Sequence, residues 1–284
     1  RPRINAAGRM GKAELAAELF LTKDPIRAQA LAAELCEQNK LRQSEENKIL
    51  EQTLTRLRRE YNPLEDKIIV LAGEGWHQGV IGIVCSRLCD RYGCPVVLIS
   101  VDEDGVGKGS GRSIEAYSMY EELCKCKELM TKFGGHPMAA GLSLAGEEMI
   151  EPFRRALNDN STLTEEDFVE KVVIDVPMPI TYITKNLIRQ LSLLEPFGKG
   201  NTKPLFAQKG LTVLNYRIFG KNRNVVKVQL ADVGGYQMDG VYFGEGEAFA
   251  AYVDAHPTLS VAYYPSIDTW NGRDKLQINI QSYF

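Results

Sequence analysis

Two apolar runs, Lys67-Ile68-Ile69-Val70-Leu71-Ala72 and Pro95-Val96-Val97-Leu98-Ile99-Ser100, bracket a segment in which Val80, Val84 and Leu88 recur at helical spacing. Near-continuous apolar runs suit strands buried on both faces, and strand–helix–strand order calls for a parallel pair joined by a right-handed crossover. The pattern predicts a helix from about Gly79 to Tyr92, stopped at Gly93, then a turn at Asp102-Glu103-Asp104-Gly105. A third strand follows through Gly107-Lys108-Gly109-Ser110-Gly111-Arg112-Ser113, then a helix over Ala116–Cys126 and a Gly-Gly-His turn at residues 134–136. A strand over Ala140–Leu144 and a helix over Glu147–Leu157 complete an α/β unit with a mixed sheet.

The segments on either side have different periods. Residues 12–20 and 25–35 are rich in Ala, Leu and Glu, with Asp24 suited to cap a helix and Pro25 to start it. That helix is expected to run on to Glu60 with a narrow stripe of Leu50, Leu54 and Leu57, and to end at Asn62-Pro63. Asn158-Asp159-Asn160-Ser161-Thr162 reads as a linker, Phe168–Val176 as a strand, and Lys185–Leu194 as a helix with Leu187, Leu191 and Leu194 on one side. After Pro204 come short strands at 205–207, 211–218, 225–230, 237–243, 259–264 and 276–280, with a helix over 247–255. Turns at Gly220, Gly234-Gly235, Gly244-Glu245-Gly246 and Asn271-Gly272 separate them, which suits an OB-type barrel. We therefore divide the chain into 1–35, a connecting helix over 36–62, an α/β domain over 63–157, a linker and helix over 158–204, and a barrel over 205–284, to which 168–176 could lend a first strand.

Three segments suit an anion. In Phe133-Gly134-Gly135-His136-Pro137-Met138-Ala139-Ala140-Gly141, exposed glycine amides beside an imidazole would form a phosphate-binding concavity; the same residues also suit a tight turn around a buried histidine. In the 107–113 stretch, Lys108, Ser110, Arg112 and Ser113 stand among three glycines, as needed to grip a phosphodiester or to build a plain surface hairpin. Trp76-His77-Gln78-Gly79 lies at the mouth of a helix, where amides favour an anion or serve ordinary capping. Further on, Arg217, Lys221, Arg223 and Lys227 share an acid-free stretch with Tyr216 and Phe219, the makings of a basic aromatic hairpin that contacts backbone and stacks bases, or of a solvated one.

Composition limits the chemistry. With 44% hydrophobic and 25% charged residues, the 284-residue chain is an ordinary globular protein of about two domains, and its net charge of −3 confines any nucleic-acid surface to local clusters. No apolar run reaches the roughly 20 residues needed to cross a bilayer, so a cytoplasmic protein without membrane contact is expected. The six cysteines lack paired Cys-x2-Cys spacing and are read as reduced, mostly buried thiols. Only His77, His136 and His256 are present, none beside another histidine, so a two-metal centre has no evident ligand set and no metal is assigned to this chain.

Five motifs together resemble the RecJ family of the DHH phosphoesterase superfamily: residues 3–11 (Arg3 to Gly11, including Arg9), 75–82 (Gly75 to Gly82), 107–113, 133–141 and Leu194-Glu195-Pro196-Phe197-Gly198-Lys199-Gly200-Asn201, in that order. The resemblance implies the C-terminal part of a 5′→3′ single-stranded-DNA exonuclease of repair and recombination: the end of a metal-bearing DHH domain, a long helix, a DHH-associated α/β domain and an OB-fold. It implies Mn²⁺ or Mg²⁺ in the intact enzyme, with none bound by this chain, which alone is expected to be inactive. It also implies that His136 contacts the scissile phosphate with Gly134 and Gly135, that Ser110, Arg112 and Ser113 recognise a 5′-phosphate end, and that Arg9 and Gln78 lie near the same strand. The implied partners are single-stranded DNA and a single-strand-binding protein or helicase. A DHH phosphodiesterase for oligoribonucleotides or cyclic dinucleotides, and a non-catalytic replication scaffold, are the competing classes; the segment after Asn201 disfavours the first.

Overall fold

The computed structural model describes residues 2–62, 66–169, 171–269 and 274–284. It divides into two compact units, residues 1–170 and 171–284. The expected end of the long helix at Pro63 and the turn at Asn271-Gly272 lie outside the described residues.

The first unit opens with helices α1 (Pro2–Arg9), α2 (Ala13–Leu21) and α3 (Pro25–Glu60). Asp24 caps α3 by accepting from the Ile26 amide at 2.9 Å, with Pro25 in the first turn where its missing N–H costs nothing. The helix is one continuous piece of 36 residues. Leu35 packs with Ala7 and Ala16 near its start, whereas Ile49, Leu50, Leu54 and Leu57 bury their stripe against the α/β core. Gln52 accepts from the Trp76 indole at 2.7 Å, and Glu46 binds Arg87 at 2.9 Å, so the second half of α3 is fixed to the α/β core by packing and by polar contacts.

That core is a five-stranded mixed sheet in the order β1 (Ile69–Glu74), β2 (Val96–Val101), β3 (Gly107–Arg112), β5 (Ala139–Leu144), β4 (Lys132–His136). β1 and β2 are parallel, as the strand–helix–strand pattern requires, joined through α4 (Gln78–Tyr92), which Gly93 ends at φ +63°. The other pairings are antiparallel. α5 (Met119–Lys125) and α6 (Ile150–Asp159) bury Met119, Leu123, Phe153 and Leu157 against one face. α3 and α4 cover the other face over β1 and β2, and α4 also reaches β3. The polar run starting at Asn158 is no free linker at its beginning: the Asn158 amide oxygen accepts from the Lys67 and Ile68 amides at 2.8 and 2.9 Å, tying α6 to the entry of β1.

The second unit is a closed five-stranded barrel. β7 (Phe206–Phe219), β8 (Val225–Ala231), β9 (Gln237–Phe243), β11 (Lys275–Tyr283) and β10 (Leu259–Asp268) pair in that order, and β10 pairs back to β7. α8 (Gly246–Ala255) between β9 and β10 completes OB topology. The strands expected at 205–207 and 211–218 are one 14-residue strand, bent at Gly210 where φ is +69°. Among the described residues, the strand expected over 168–176 is reduced to its last position. Residues 165–168 make a 3₁₀ turn, Val173 is 80% exposed, and only β6 (Val176–Pro177) pairs, in parallel, with β7. On α7 (Lys185–Ser192) it is Ile188 and Leu191 that pack on the barrel core; Leu194, beyond the end of α7, is 49% exposed.

Candidate nucleic-acid interface

The Gly-Gly-His segment is a strand, not a turn. Residues 132–136 form edge strand β4, and the turn lies one step later at Pro137-Met138. Consecutive amides of a strand point to opposite sides, so Gly134 and Gly135 cannot aim both N–H groups at one anion as a nest would. Gly135 instead permits close packing, since a Cβ there would stand 2.4 Å from the Ala139 carbonyl oxygen. At Gly134 a Cβ would meet nothing within 4 Å, so this glycine leaves open floor.

The alternation of β3 sorts its residues in the same way. Gly107, Gly109 and Gly111 face the core, where Cβ atoms would crowd Ile99, Leu142 and Met119 at 3.1, 2.9 and 3.1 Å. They are packing glycines, not an anion cradle. Lys108, Ser110 and Arg112 take the opposite face, and cross-strand register extends it into three rows: Arg112–Ala139–His136, Ser110–Gly141–Gly134 and Lys108–Ser143–Lys132. Each row spans about 10 Å across two strand gaps, and the outer rows lie about 13 Å apart along the strands. The core cluster under α3 and α4 takes nothing from β5 or β4, and α4 reaches no further than β3, which leaves the β5 and β4 part of this face open, with Gly134, His136 and Gly141 exposed.

The cations around this floor are available. Among the described residues no carboxylate makes an ion pair with Arg9, Lys108, Arg112 or Lys132. Arg112 Nη1 donates to the Ser110 hydroxyl at 3.1 Å and to the Gly111 carbonyl at 2.6 Å, which holds the fork and leaves Nε and Nη2 donors for a ligand. Its Nη2 would be 3.0 Å from a Cβ on Gly82, so α4 must be bare there. One turn earlier, Arg9 Nη1 donates to the Gly79 carbonyl at 3.2 Å, and a Cβ on Gly79 would overlap the Arg9 carbonyl oxygen at 2.1 Å. Residues three apart share a helix face, so both guanidinium groups border the same side of α4. Beneath them, the Cys85 thiol donates to the Ser110 carbonyl at 2.8 Å, and burial pushes that thiol up to about 12. Cys89 and Cys94 are buried likewise, pushed by burial to about 11 and 12.

His136 is exposed on β4, and its Nδ1 accepts from the Met138 amide at 3.3 Å. An accepting Nδ1 in a neutral ring puts the proton on Nε2, which leaves an outward donor. Ser113 offers nothing of the kind. It is 7% exposed and donates its hydroxyl to the Tyr117 carbonyl at 2.5 Å, which weighs against the phosphate role expected for it. Gln78, the first residue of α4, is exposed beside a cavity of about 1060 Å³ at the C-terminal ends of β1 and β2. Glu74, Asp102, Glu103, Asp104 and Glu147 line that cavity, which makes it a poor host for a polyanion, and His77 there caps α4 by accepting from the Gly79 amide at 3.1 Å. Lys132 completes the basic rim and lies outside the expected site, because its partnership with Lys108 through Ser143 exists only once strand register is set.

In the second unit, Arg217 and Lys227 are cross-strand partners on the barrel's outer face, and Lys221 is exposed in the β7–β8 turn. Arg223, at φ +52°, is ion-paired with Glu247. Tyr216 points the other way: its hydroxyl donates to Asp254 at 3.2 Å and its ring meets Phe249 edge-on, so it is not a stacking residue of this face.

Comparison with known proteins agrees with both architectures. The DHHA1 domain matches residues 65–161 and the RecJ OB domain matches residues 174–282. The chain carries the DHHA1 and OB domains of the RecJ family. It is 36% identical over 283 residues, 99% of its length, to the single-stranded-DNA-specific exonuclease RecJ of Bacillus subtilis, and spans 35% of that protein. The crystal structure of Thermus thermophilus RecJ with Mg²⁺ superposes with a TM-score of 0.82 at 32% identity, over 99% of this chain and 42% of the other. The same enzyme with Mn²⁺ gives 0.81 at 31% identity, over 100% and 40%. The chain thus spans about a third to two fifths of these RecJ proteins. Among the described residues no group of three or more His, Cys, Asp or Glu side chains is placed to hold a metal ion. No described helix is long and apolar enough to cross a membrane.

Proposed function

We propose that this chain supplies the strand-gripping surfaces of a RecJ-like 5′→3′ single-stranded-DNA exonuclease of DNA repair and recombination, acting in the cytoplasm. The supporting observation is the uncovered β5 and β4 part of the sheet, where unpaired cations rim a floor of Gly134, Ala139, Gly141 and Ser143, with Ser110 at its edge beside α4. A polyanion can lie close to such a floor because no large side chain keeps it off. Arg112, its fork fixed by Ser110 and Gly111, takes a terminal 5′-phosphate with Arg9 beside it. His136 donates from Nε2 to a phosphodiester oxygen at the other end of the same row, where a fixed donor lowers a barrier if charge develops there. Lys108 and Lys132 hold the backbone further along. The barrel contributes a second contact through Arg217, Lys221 and Lys227.

The intact enzyme would work with Mn²⁺ or Mg²⁺, as the metal-bound Thermus structures suggest, on ligands other than those described. Hydrolysis is assigned to that centre, so this chain alone binds single strands and cleaves none. A single-strand-binding protein or helicase is the expected protein partner. Incubating the chain with labelled strands and Mn²⁺ tests the division of labour: salt-sensitive binding with no digestion is expected, and digestion abolished by chelation would overturn it.

A further inference from the structure

Two phenylalanines on the barrel are exposed where a strand ordinarily carries polar residues. Phe219 on β7 is 40% exposed and Phe243 on β9 is 63% exposed. Register makes them one feature: Phe219 lies opposite Val225 on β8, and Val225 lies opposite Phe243. All three side chains share the outer face, while their neighbours Val226, Tyr242 and Ile218 join the barrel core. The next row on that face is Arg217–Lys227–Val241, and the Arg217 guanidinium stands 5.9 Å from the Phe219 ring centroid. A groove of about 300 Å³ runs beside the aromatic row, its charged and aromatic lining being Arg217, Phe219, Lys227, Asp239 and Asp268. Of the two carboxylates, Asp239 is ion-paired with Lys275, which offsets its opposition to an anion, and Arg217 and Lys227 match the pair in number.

Apolar rings with cations one row away match a single strand's two chemistries, flat bases and a charged backbone. We propose that Phe219, Val225 and Phe243 form a base-stacking platform, on which bases lie across strands about 4.8 Å apart while their phosphates reach Arg217 and Lys227. Phe243 is the specific addition, since no turn or charge cluster marks it. The platform rests on reading the second unit as a single-strand binder, and its test separates the two.

The 284-residue chain is titrated by fluorescence anisotropy with a thymidine oligonucleotide of about 12 residues, within the site size of an OB-fold, and with an abasic strand of equal length. Phe243→Ala should weaken thymidine binding roughly tenfold, the loss of about one base stack, and leave abasic binding and the salt dependence unchanged. Phe243→Trp should keep the affinity, and its indole emission should be quenched by the thymidine strand but not by the abasic one. Equal binding of both strands by Phe243→Ala and the parent, or an equal loss on both, overturns the platform. If Lys227→Ala lowers the salt dependence in that case, the single-strand reading survives without the platform; if neither substitution matters, the reading itself fails.

Discussion

Replacing Arg112 should cost affinity at one end of a DNA strand and almost nothing elsewhere. Its Nη1 hydrogens are spent on Ser110 and Gly111, so the groups left for a ligand are Nε and Nη2, set in one orientation above Gly82. A charge-assisted hydrogen bond contributes about 1.5–3 kcal/mol, so Arg112→Ala should weaken a 5′-phosphorylated strand by about 10- to 150-fold. Arg112→Lys keeps the charge but loses the fork, and should fall between while retaining the salt dependence that Arg112→Ala lowers by about 0.7 in log–log slope. Gly82→Ala should act in the same direction more weakly, because the new methyl would press on Nη2 at 3.0 Å. The assay is anisotropy with 3′-labelled strands that differ only in a 5′-phosphate or 5′-hydroxyl, at two salt concentrations. Equal losses on both strands would mean that Arg112 senses the backbone and not the end; no loss on either would refute the site.

Other consequences concern the remaining residues. Lys108→Ala and Lys132→Ala should each weaken binding irrespective of the 5′ end and lower the log–log salt slope by about 0.7; an unchanged slope would remove that row from the path. Gly109→Ala should destabilise the first unit by about 1–3 kcal/mol in thermal melts, because its Cβ would stand 2.9 Å from Leu142, whereas Gly134→Ala should melt normally yet bind strands less well. Iodoacetamide at pH 8 should label exposed Cys124 first and leave Cys85 and Cys94 unmodified until unfolding, since burial holds both thiols up at about 12; mass spectrometry that found Cys85 labelled early would contradict its place under Ser110.

What can be read in the residues is mostly local. The buried runs around Val70 and Val97, the Asp24-Pro25 helix start and the barrel strands from Leu211 onward follow from nearest-neighbour pattern and turn chemistry, and the structure has them close to their expected places. The Gly-Gly-His strand is not legible, because paired glycines signal a turn and what makes them a strand is pairing with Ala140 and Gly141. The valines of 169–176 have strand propensity but no partner beyond a two-residue bridge, and pairing decides. Arg112 and His136 can be named from composition, but their common row needs two registers across β5. The surroundings of Ser113 are hidden for a related reason: it lies one residue past the end of β3, and the turn that follows folds the Tyr117 carbonyl onto its hydroxyl. The alternation Gly-Lys-Gly-Ser-Gly-Arg does carry the signal that the glycines share one face and the polar groups the other.

The grip on a strand is tested most directly by amide chemical-shift mapping of the chain with a short 5′-phosphorylated oligonucleotide. The largest shifts should fall on Lys108, Ser110, Arg112, Lys132, Gly134, His136, Gly141 and Ser143, with little change around Glu74 and Asp102–Asp104. Large shifts around that acidic cavity, with the uncovered part of the sheet silent, would contradict the proposed path of the strand.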